Sequence, residues 1–234
     1  MYIYDTHVHT SECSGCAFNT AREVVRAYKA AGYSGIVMTN HFYRGNSAVD
    51  RALPWADFVT AYYNTYLEAK DEGEKLDFDV IFGLEEGVGH YKEYLLYNID
   101  LEFLLQNPDM IKLSPDELCK RVQAAGGFVS FAHPYRFRQS YMTEYCEPIF
   151  GCVDAVEVYN ACNEPLENEK ALIAAKERGL VFTCGSDLHR INQAEDGNLV
   201  GMAFTHRVKD GAEFVAALKD PETKAYIKGE IIEM

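Results

Sequence analysis

Histidines and carboxylates in this chain recur directly after short β-branched or apolar runs, at places where strands would end. Five such sets are spread over almost the whole sequence: Asp5-Thr6-His7-Val8-His9, Asn40-His41, Gly83-Leu84-Glu85, Ala132-His133-Pro134 and Ser186-Asp187-Leu188-His189. The carboxyl ends of parallel strands converge at one rim of a barrel, so these side chains would meet in one pocket. Imidazoles and carboxylates gathered in this way predict a metal site.

Strand-like and helix-like segments alternate along the chain. Strands are predicted over 2–8, 36–39, 79–84, 128–132, 155–159, 181–184 and 200–204, and helices from Thr20, over 54–70, from Ser114, over 165–178 and over 209–219. The strands are continuous apolar runs, which is typical of a parallel sheet covered by helices. At 234 residues the chain fits a single α/β domain spanning 1–234, and about seven strand–helix units favour a barrel.

Composition excludes several classes of protein. The formal net charge of −14 opposes binding of long nucleic acids or anionic membranes, because such binding neutralises phosphates with Lys and Arg. The sequence has neither a signal-peptide pattern at its start nor an apolar run long enough to span a membrane, so we expect a cytoplasmic protein with no membrane partner. Seven cysteines do not describe a disulfide framework, and Cys13 and Cys16 lack the second pair of a four-thiolate zinc site, so we expect reduced thiols near the mouth of the site.

The spacing of the candidate ligands strengthens the metal hypothesis. His7 and His9 lie two residues apart on one predicted strand, so both imidazoles point to the same face and can bind one ion. Asp187 and His189 repeat this spacing after another strand. Any one of these histidines alone could be structural, but five of the seven histidines follow predicted strands. Glu85 follows an apolar run, where a buried carboxylate is costly unless it is paired, for instance by bridging cations.

Six short motifs resemble, in sequence order, those of the PHP (polymerase and histidinol phosphatase) superfamily: Asp-x-His-x-His-Thr, Thr-Asn-His, Gly-Leu-Glu, Ala-His-Pro, Val-Glu-Val-Tyr-Asn and Ser-Asp-x-His. The resemblance extends from Tyr2 to about His206. It implies a distorted (β/α)7 TIM-like barrel with two or three divalent ions, zinc, manganese or iron. It also implies a metal-dependent phosphoesterase that hydrolyses a phosphate mono- or diester.

The resemblance assigns roles to individual residues. The implied ligands are His7, His9, Glu85 and Asp187 for the first ion, Glu85 and His133 for the second, and His41 and His189 for a third. Asp5 would orient a ligand through a hydrogen bond. Glu157 and Asn160 lie in a motif near the pocket, where a structural role and a substrate contact both remain open.

Two departures from the family pattern concern the ligand set. Many members have an Asp or His shortly after the first His-x-His, where this chain has Ser14, so the third site needs a substitute such as Glu12. Members also often supply a histidine on the strand after the glutamate, where this chain offers Glu93 and, close by, His90. Glu12, His90 and Glu93 are therefore candidates for additional ligands.

A mechanistic hypothesis follows from the charges. Two cations sharing Glu85 would lower the pKa of a bound water towards about 7 and neutralise charge on the phosphate. Arg136, Arg138 and Arg190 directly follow ligand motifs and would clamp the phosphate of a small substrate, unless they are solvated loop charges. A metal-dependent amidohydrolase acting on C–N bonds and a non-catalytic metal-binding regulatory module remain alternatives. Substrate identity, the metal and the oligomeric state stay open.

Overall fold

Ten strands and seven α-helices occur in residues 1–233, which the computed structural model describes. The strands are β1 (Tyr2–Val8), β2 (Gly35–Met38), β3 (Asp79–Gly89), β4 (Lys92–Tyr97), β5 (Phe128–Ala132), β6 (Ala155–Asn160), β7 (Val181–Gly185), β8 (Val200–Phe204), β9 (Lys224–Ile227) and β10 (Glu230–Ile232). The helices are α1 (Ala21–Ala30), α2 (Trp55–Lys75), α3 (Leu101–Gln106), α4 (Pro115–Ala124), α5 (Pro165–Arg178), α6 (Asn192–Glu195) and α7 (Gly211–Leu218), and a 3-10 turn, Met110–Lys112, precedes α4.

All ten strands form one sheet in the order β10-β9-β8-β1-β2-β3-β4-β5-β6-β7. β1, β2 and β3 run parallel, as do β5, β6 and β7. β4 runs antiparallel between these two groups, and β8 runs antiparallel beside β1. The sheet curls until the chain after β7 reaches β1, where His9 N donates to Leu188 O over 3.0 Å.

The α/β class and the barrel-like curvature predicted from the sequence are confirmed, but the wholly parallel sheet is wrong. The observed mixed sheet forms a half-barrel, and a regular (β/α)7 barrel stays a prediction. The direction changes at β4 because a tight turn replaces the expected crossover helix: Gly89, His90 and Tyr91 have φ of 95°, 51° and 56°. A short turn can only join antiparallel neighbours, whereas parallel strands need a long crossover connection.

Helix boundaries follow local signals in the sequence. Thr20 begins α1 and Ser114 begins α4, each with the reciprocal capping box that its spacing to Glu23 or Glu117 predicts. α5 ends at Gly179, whose left-handed φ of 64° is the usual helix stop. No helix in residues 1–233 combines the length and the apolar character needed to cross a bilayer.

Aromatic rings fill the sheet interior at the end where β1 begins. Tyr4 contacts Phe204 at a centroid distance of 5.5 Å, and Phe214 packs against both Phe204 and Tyr97. All four rings are fully buried. Burial of each large apolar side chain contributes roughly 1.5–3 kcal/mol. This packed end supports the opposite rim, where β1 ends at His7 and Val8 and the polar residues gather.

Candidate metal centre

Glu85 lies at the middle of the rim formed by the ends of β1, β2, β3 and β5. Its Oε1 lies 3.1 Å from Nε2 of His133 and 3.3 Å from Nε2 of His7. Its Oε2 lies 2.7 Å from Nδ1 of His41 and 3.4 Å from Nε2 of His9. One carboxylate on β3 therefore contacts imidazoles contributed by three other parts of the sheet.

Asp187 and His189 approach the same cluster from the end of β7. Asp187 Oδ1 lies 3.2 Å from Nε2 of His9 and 3.6 Å from Nε2 of His7. The His189 ring lies 4.4 Å from the His9 ring, centroid to centroid. The structure thus brings together all seven residues assigned as ligands from the resemblance.

Hydrogen bonds fix which imidazole nitrogen faces the cluster. His7 Nδ1 contacts Glu157 Oε1 at 2.9 Å, and His189 Nδ1 contacts the carbonyl of Asp187 at 2.9 Å. Both partners can only accept, so each Nδ1 donates a hydrogen bond and each Nε2 faces the cluster. His9 Nδ1 lies 3.0 Å from Ser14 Oγ, which itself donates to Asn40 Oδ1 and so accepts from His9. Three histidines therefore turn Nε2 towards the centre, as metal-ligating histidines do.

Several ligand atoms have no hydrogen-bond partner. His7 Nε2, His9 Nε2 and Glu85 Oε2 are buried and unpaired by geometry, although oppositely charged atoms lie nearby. Buried polar atoms are almost always paired, so a group of unpaired ones needs an explanation such as an ion. Imidazole nitrogens and carboxylate oxygens suit zinc, iron and manganese, so the residues present fit a divalent cation site.

Neighbouring charges control protonation within the cluster. Burial opposes a charge on His7, but the carboxylates of Glu157, Asp187 and Glu85 outweigh burial and raise the pKa of His7 well above its usual value. Burial likewise opposes ionisation of Glu85 and Asp187, yet the nearby histidines lower the pKa of both carboxyl groups. Burial and the charges of His189 and His41 lower the pKa of His9. Protons on the imidazoles thus balance the negative charge of the carboxylates where a cation would bind. Binding of a cation would release these protons.

Two of the candidate ligands have strained backbone conformations. His133 has a φ of 28° and Asp187 has a φ of 52°, both in the region that disfavours residues with a side chain. Such conformations cost about 1–3 kcal/mol each and cluster at functional sites. Gly185, two residues before Asp187, allows β7 to approach His7, because a Cβ there would collide with the His7 side chain and with Glu157 Oε1.

Two of the three additional ligand candidates lie away from the centre. Both carboxylate oxygens of Glu12 accept from Ala21 N, at 2.9 and 3.2 Å, so Glu12 caps the start of α1. His90 lies exposed in the β3–β4 turn and groups with Glu144 and Cys146 instead. Glu93 on β4 does reach the centre, 3.5 Å from His133 Nε2 and 3.6 Å from His41 Nδ1.

Asp5 forms a hydrogen bond to the ligand His7, through the backbone of His7. Its Oδ1 accepts from the backbone N–H groups of His7 and Ser186, both at 3.0 Å, and its Oδ2 accepts from the Tyr28 hydroxyl at 2.6 Å. Asp5 therefore ties β1 to the end of β7 and does not touch an imidazole.

Glu157 provides the carboxylate that contacts the His7 imidazole. Besides binding His7, it accepts through Oε2 from His133 N and from Asn160 Nδ2, each at 2.9 Å. Asn160 in turn accepts from Arg136 through Oδ1. Glu157, on β6, thus holds ligands from β1 and β5, a contact that its motif alone did not reveal.

The three candidate phosphate-binding arginines have separate environments. Arg136 pairs with Asp187 at 2.7 Å and with Asn160 at 2.8 Å, and it borders the centre. Arg138 is engaged by Glu167 at 2.6 Å, and Arg190 stacks on the Phe18 ring at 3.6 Å. Only Arg136 keeps a position suited to a substrate bound at the centre.

Cys16 is a neighbour of the centre that the sequence indicated only loosely. Its Sγ lies 3.0 Å from His189 Nε2. Burial alone would raise the pKa of this thiol, but hydrogen bonds and charge from His189 and His41 together lower it to about 6. Cys13, the other half of the Cys-x-x-Cys, points away and contacts Thr65 Oγ1 at 3.3 Å.

A cavity of about 410 Å³ opens beside the centre. Its walls include Glu93, His133 and Arg136 from the rim, and Arg44 and Tyr141 from the surrounding loops. Arg44 is anchored by Glu86, whose carboxylate accepts from its Nε at 2.9 Å. The loops over 42–53 and 135–148 thus border the space next to the candidate ligands.

Solved structures with similar backbones include proteins from three bacteria. A two-domain protein from Bacteroides vulgatus containing a predicted PHP-like metal-dependent phosphoesterase superimposes with a TM-score of 0.73 at 16% identity, over 99% of this chain and 66% of that one. A protein from Bifidobacterium adolescentis, proposed to be a metal-dependent phosphoesterase, gives a TM-score of 0.59 at 16% identity, over 92% of this chain and 95% of its own. The chain has the PHP-like fold.

An amidohydrolase from Chromobacterium violaceum, with bound sulfate and no metal, shares this PHP-like fold more distantly, with a TM-score of 0.56 at 13% identity over 80% of this chain and 87% of that one. Neither a family model nor a curated protein matches the sequence. The chain spans just under two thirds of the Bacteroides protein. The PHP resemblance is thus supported at the level of the fold, and the candidate ligands form groups that could hold a metal ion.

Proposed function

We propose that this chain is a metal-dependent phosphoesterase that hydrolyses a small phosphate mono- or diester at a centre of two or three divalent ions. The observation that carries the proposal is the position of Glu85, a buried carboxylate in contact with His7, His9, His41 and His133. A single carboxylate among four imidazoles is suited to share its two oxygens between two ions.

The residues divide into ligands and supports. His7, Glu85 and Asp187 would hold a first ion, and His133 with Glu85 a second. Bound divalent ions supply Lewis acidity, which activates water and neutralises charge on a phosphate. Glu157 keeps the His7 and His133 nitrogens aimed at the centre through its contacts to His7 Nδ1 and His133 N.

Arg136 is the best candidate for binding the phosphate. Its pairing with Asp187 and Asn160 holds the guanidinium in place at the cavity wall, while N–H groups on its terminal nitrogens remain for another acceptor. Planar guanidinium groups bind phosphate oxygens in pairs. A fixed cation next to the ligands would orient an anionic ester in a protein whose overall charge is −14.

The cavity favours a small substrate over a polymer. Its volume of about 410 Å³ is within the range typical of small-molecule sites. Its walls come partly from the loops over 42–53 and 135–148, so these loops would set specificity. We take the chain as a single catalytic domain acting in the cytoplasm on a small phosphorylated compound.

Hydrolysis of chromogenic esters tests the proposal. Purified protein stripped with chelator and reloaded with manganese, zinc or iron(II) is assayed with p-nitrophenyl phosphate and with bis(p-nitrophenyl) phosphate. We expect release of p-nitrophenol that requires added metal and is lost again with chelator. Absence of turnover with every metal and both esters would contradict the phosphoesterase and favour a non-catalytic module.

Hydrolysis of a C–N bond is the second candidate, because an amidohydrolase shares the fold. The same reloaded protein is assayed with p-nitroanilide and dihydroorotate-like cyclic amide substrates. The phosphoesterase proposal predicts turnover of the phosphate esters alone. Turnover of the amides without turnover of the esters would reverse the assignment.

A further inference from the structure

Cys16 lies against a cluster of three imidazoles at one side of the centre. The rings of His9 and His41 and those of His9 and His189 are each separated by 4.4 Å, and His41 and His189 by 5.9 Å. The ligand nitrogens of these three residues form one of the candidate metal groups. Cys16 Sγ lies 3.0 Å from Nε2 of His189.

The oxygen donors nearest this cluster in sequence are engaged elsewhere. Ser14 Oγ accepts from His41 N at 3.0 Å, contacts His9 Nδ1 and donates to Asn40. Glu12 caps α1 through Ala21 N. Cys16 is therefore the donor that the loop after β1 presents to the three imidazoles.

A thiol–imidazole hydrogen bond alone does not account for the cluster. His189 Nδ1 donates to the carbonyl of Asp187, so its Nε2 carries the lone pair that faces Cys16. His9 Nε2, in a residue only 1% exposed, has no partner in hydrogen-bond geometry, although Asp187 Oδ1 lies 3.2 Å away. A hydrogen bond between Cys16 and His189 would leave this second lone pair unsatisfied, whereas a cation would satisfy both.

We propose that Cys16 is a thiolate ligand of a third ion, which it binds together with His9, His41 and His189. This inference rests on the proposed metal centre and supplies the donor that is missing because Ser14 stands where many PHP proteins have an Asp. It assigns His9 to the third ion, because its ligand nitrogen forms a candidate metal group with those of His41 and His189, although His9 also groups with His7 and Glu85. His7, Glu85 and Asp187 remain for the first ion.

A sulfur donor changes which metal this site prefers. Thiolate and imidazole ligands favour zinc and iron(II) over manganese and magnesium, which prefer oxygen donors. Four protein donors are also the number that closed zinc sites provide. When the ion binds, the Cys16 S–H bond breaks and its proton passes to solvent, so sulfur becomes the anionic ligand.

Cobalt(II) provides a direct test, because cobalt bound to a thiolate absorbs in the near ultraviolet by sulfur-to-metal charge transfer. Chelator-stripped wild-type protein is titrated with cobalt(II) alone and followed by absorption, with bound metal counted by elemental analysis. We expect a charge-transfer band that saturates with one ion, and we expect Cys16→Ser to lack the band. Cys152→Ser, which alters a cysteine beside Asp116, should keep it and serves as the matched control.

Competition between metals tests the preference without reference to activity. Zinc affinity of Cys16→Ser should fall by at least the roughly 10–100-fold that loss of an outer-shell partner costs. Cys16→Asp should regain a third ion but should shift its preference from zinc towards manganese. Circular dichroism of each variant checks that it is folded. The cobalt charge-transfer band of the wild-type protein is measured without any substitution, so that result stands even if a variant fails to fold.

The outcomes separate this inference from the proposed function. Cobalt uptake by the wild type without a sulfur band, and with equal affinity in Cys16→Ser, would overturn the role of Cys16 and leave the other two ion sites standing. A wild-type protein that binds no cobalt, zinc or manganese would overturn both proposals.

Discussion

At the scale of single residues, Glu85 holds the centre together. It is 1% exposed and contacts four imidazoles, yet one of its oxygens has no hydrogen bond. A buried carboxylate in this state is costly without a cation. Without a metal, the positive charge of protonated histidines offsets the Glu85 carboxylate. Metal ions and protons therefore compete for the same imidazole nitrogens.

Replacing Glu85 tests this bridging role. Glu85→Gln keeps the shape but presents an amide N–H₂ to imidazoles that need an anionic neighbour. We expect hydrolysis of p-nitrophenyl phosphate to fall by roughly a hundredfold or more, which is the scale for losing a charge-stabilising group, with the fold retained. His133→Ala should lower hydrolysis to a similar extent. Glu177→Gln, at an exposed position of α5, is the control and should leave hydrolysis unchanged. Full turnover by Glu85→Gln and by His133→Ala, both purified, would contradict the shared carboxylate.

Glu157 offers a second test at the residue scale, through orientation rather than ligation. In Glu157→Gln the amide must turn a donor towards either His7 Nδ1–H or His133 N–H, both of which are donors. Metal affinity, measured by competition with a chromogenic chelator, should fall about 10–100-fold, as for other outer-shell partners. Glu169→Gln, on the exposed face of α5, is the control. Equal affinity in Glu157→Gln and wild type would show that His7 needs no such support.

The candidate ligands could be predicted from the sequence because each follows a strand, and the ends of neighbouring strands meet in space. Their supporting contacts could not, since they join residues that are distant along the chain. Glu157 and His7 are 150 positions apart, and their contact depends on how closely β6 and β1 approach. The same holds for Asp5 and Ser186, whose backbone N–H donates to the Asp5 carboxylate across 181 positions.

At the scale of elements, seven predicted strands form, but their directions were only partly predictable. Apolar runs indicate burial on both faces and do not fix direction. The hairpin between β3 and β4 uses His90 and Tyr91 at positive φ, without the Asn-Gly or Asp-Gly pair that normally signals such a turn. β9 and β10, short and partly exposed, give little apolar signal. Helix starts were predictable because capping is local.

The approach of β7 to β1 gives a prediction at this scale. Gly185→Ala adds a methyl group where the His7 side chain and Glu157 Oε1 already lie. We expect a loss of about 1–3 kcal/mol in the free energy of unfolding, the usual cost of overpacking, together with weaker metal binding as His7 is displaced. Urea unfolding and metal titration of the same sample measure both. If Gly185→Ala keeps the stability and metal affinity of the wild type, the prediction is wrong, and β7 can move away from His7 without a loss in the free energy of unfolding.

At the scale of the whole molecule, the chain has a net charge of −14. Its fold places several of the acidic side chains together at one rim of the sheet. Cations bound there would offset the negative charge of these acidic ligands. They would also join segments from residue 7 to residue 189, so metal should stabilise the fold as a whole. A ligand present at about a hundredfold over its dissociation constant adds about 2.7 kcal/mol.

Removal of metal tests this coupling. We expect the melting temperature of chelator-stripped protein to rise by about 5–10 °C on reloading with zinc or manganese. Magnesium, which binds imidazole poorly, should stabilise less. Differential scanning fluorimetry before and after reloading measures the change. An identical melting temperature with and without metal would indicate that no ion binds the folded state.

Distant histidines and acids gather at one rim of the sheet, where we propose that they share divalent cations. Anomalous scattering from crystals of metal-loaded protein, recorded at the zinc, manganese and iron edges, tests it most directly. We predict at least two peaks on either side of the Glu85 carboxylate, one within bonding distance of His7 and Asp187 and the other within bonding distance of His133. Density without anomalous peaks at this rim, with the His7 and His133 nitrogens still in contact with Glu85, would contradict it.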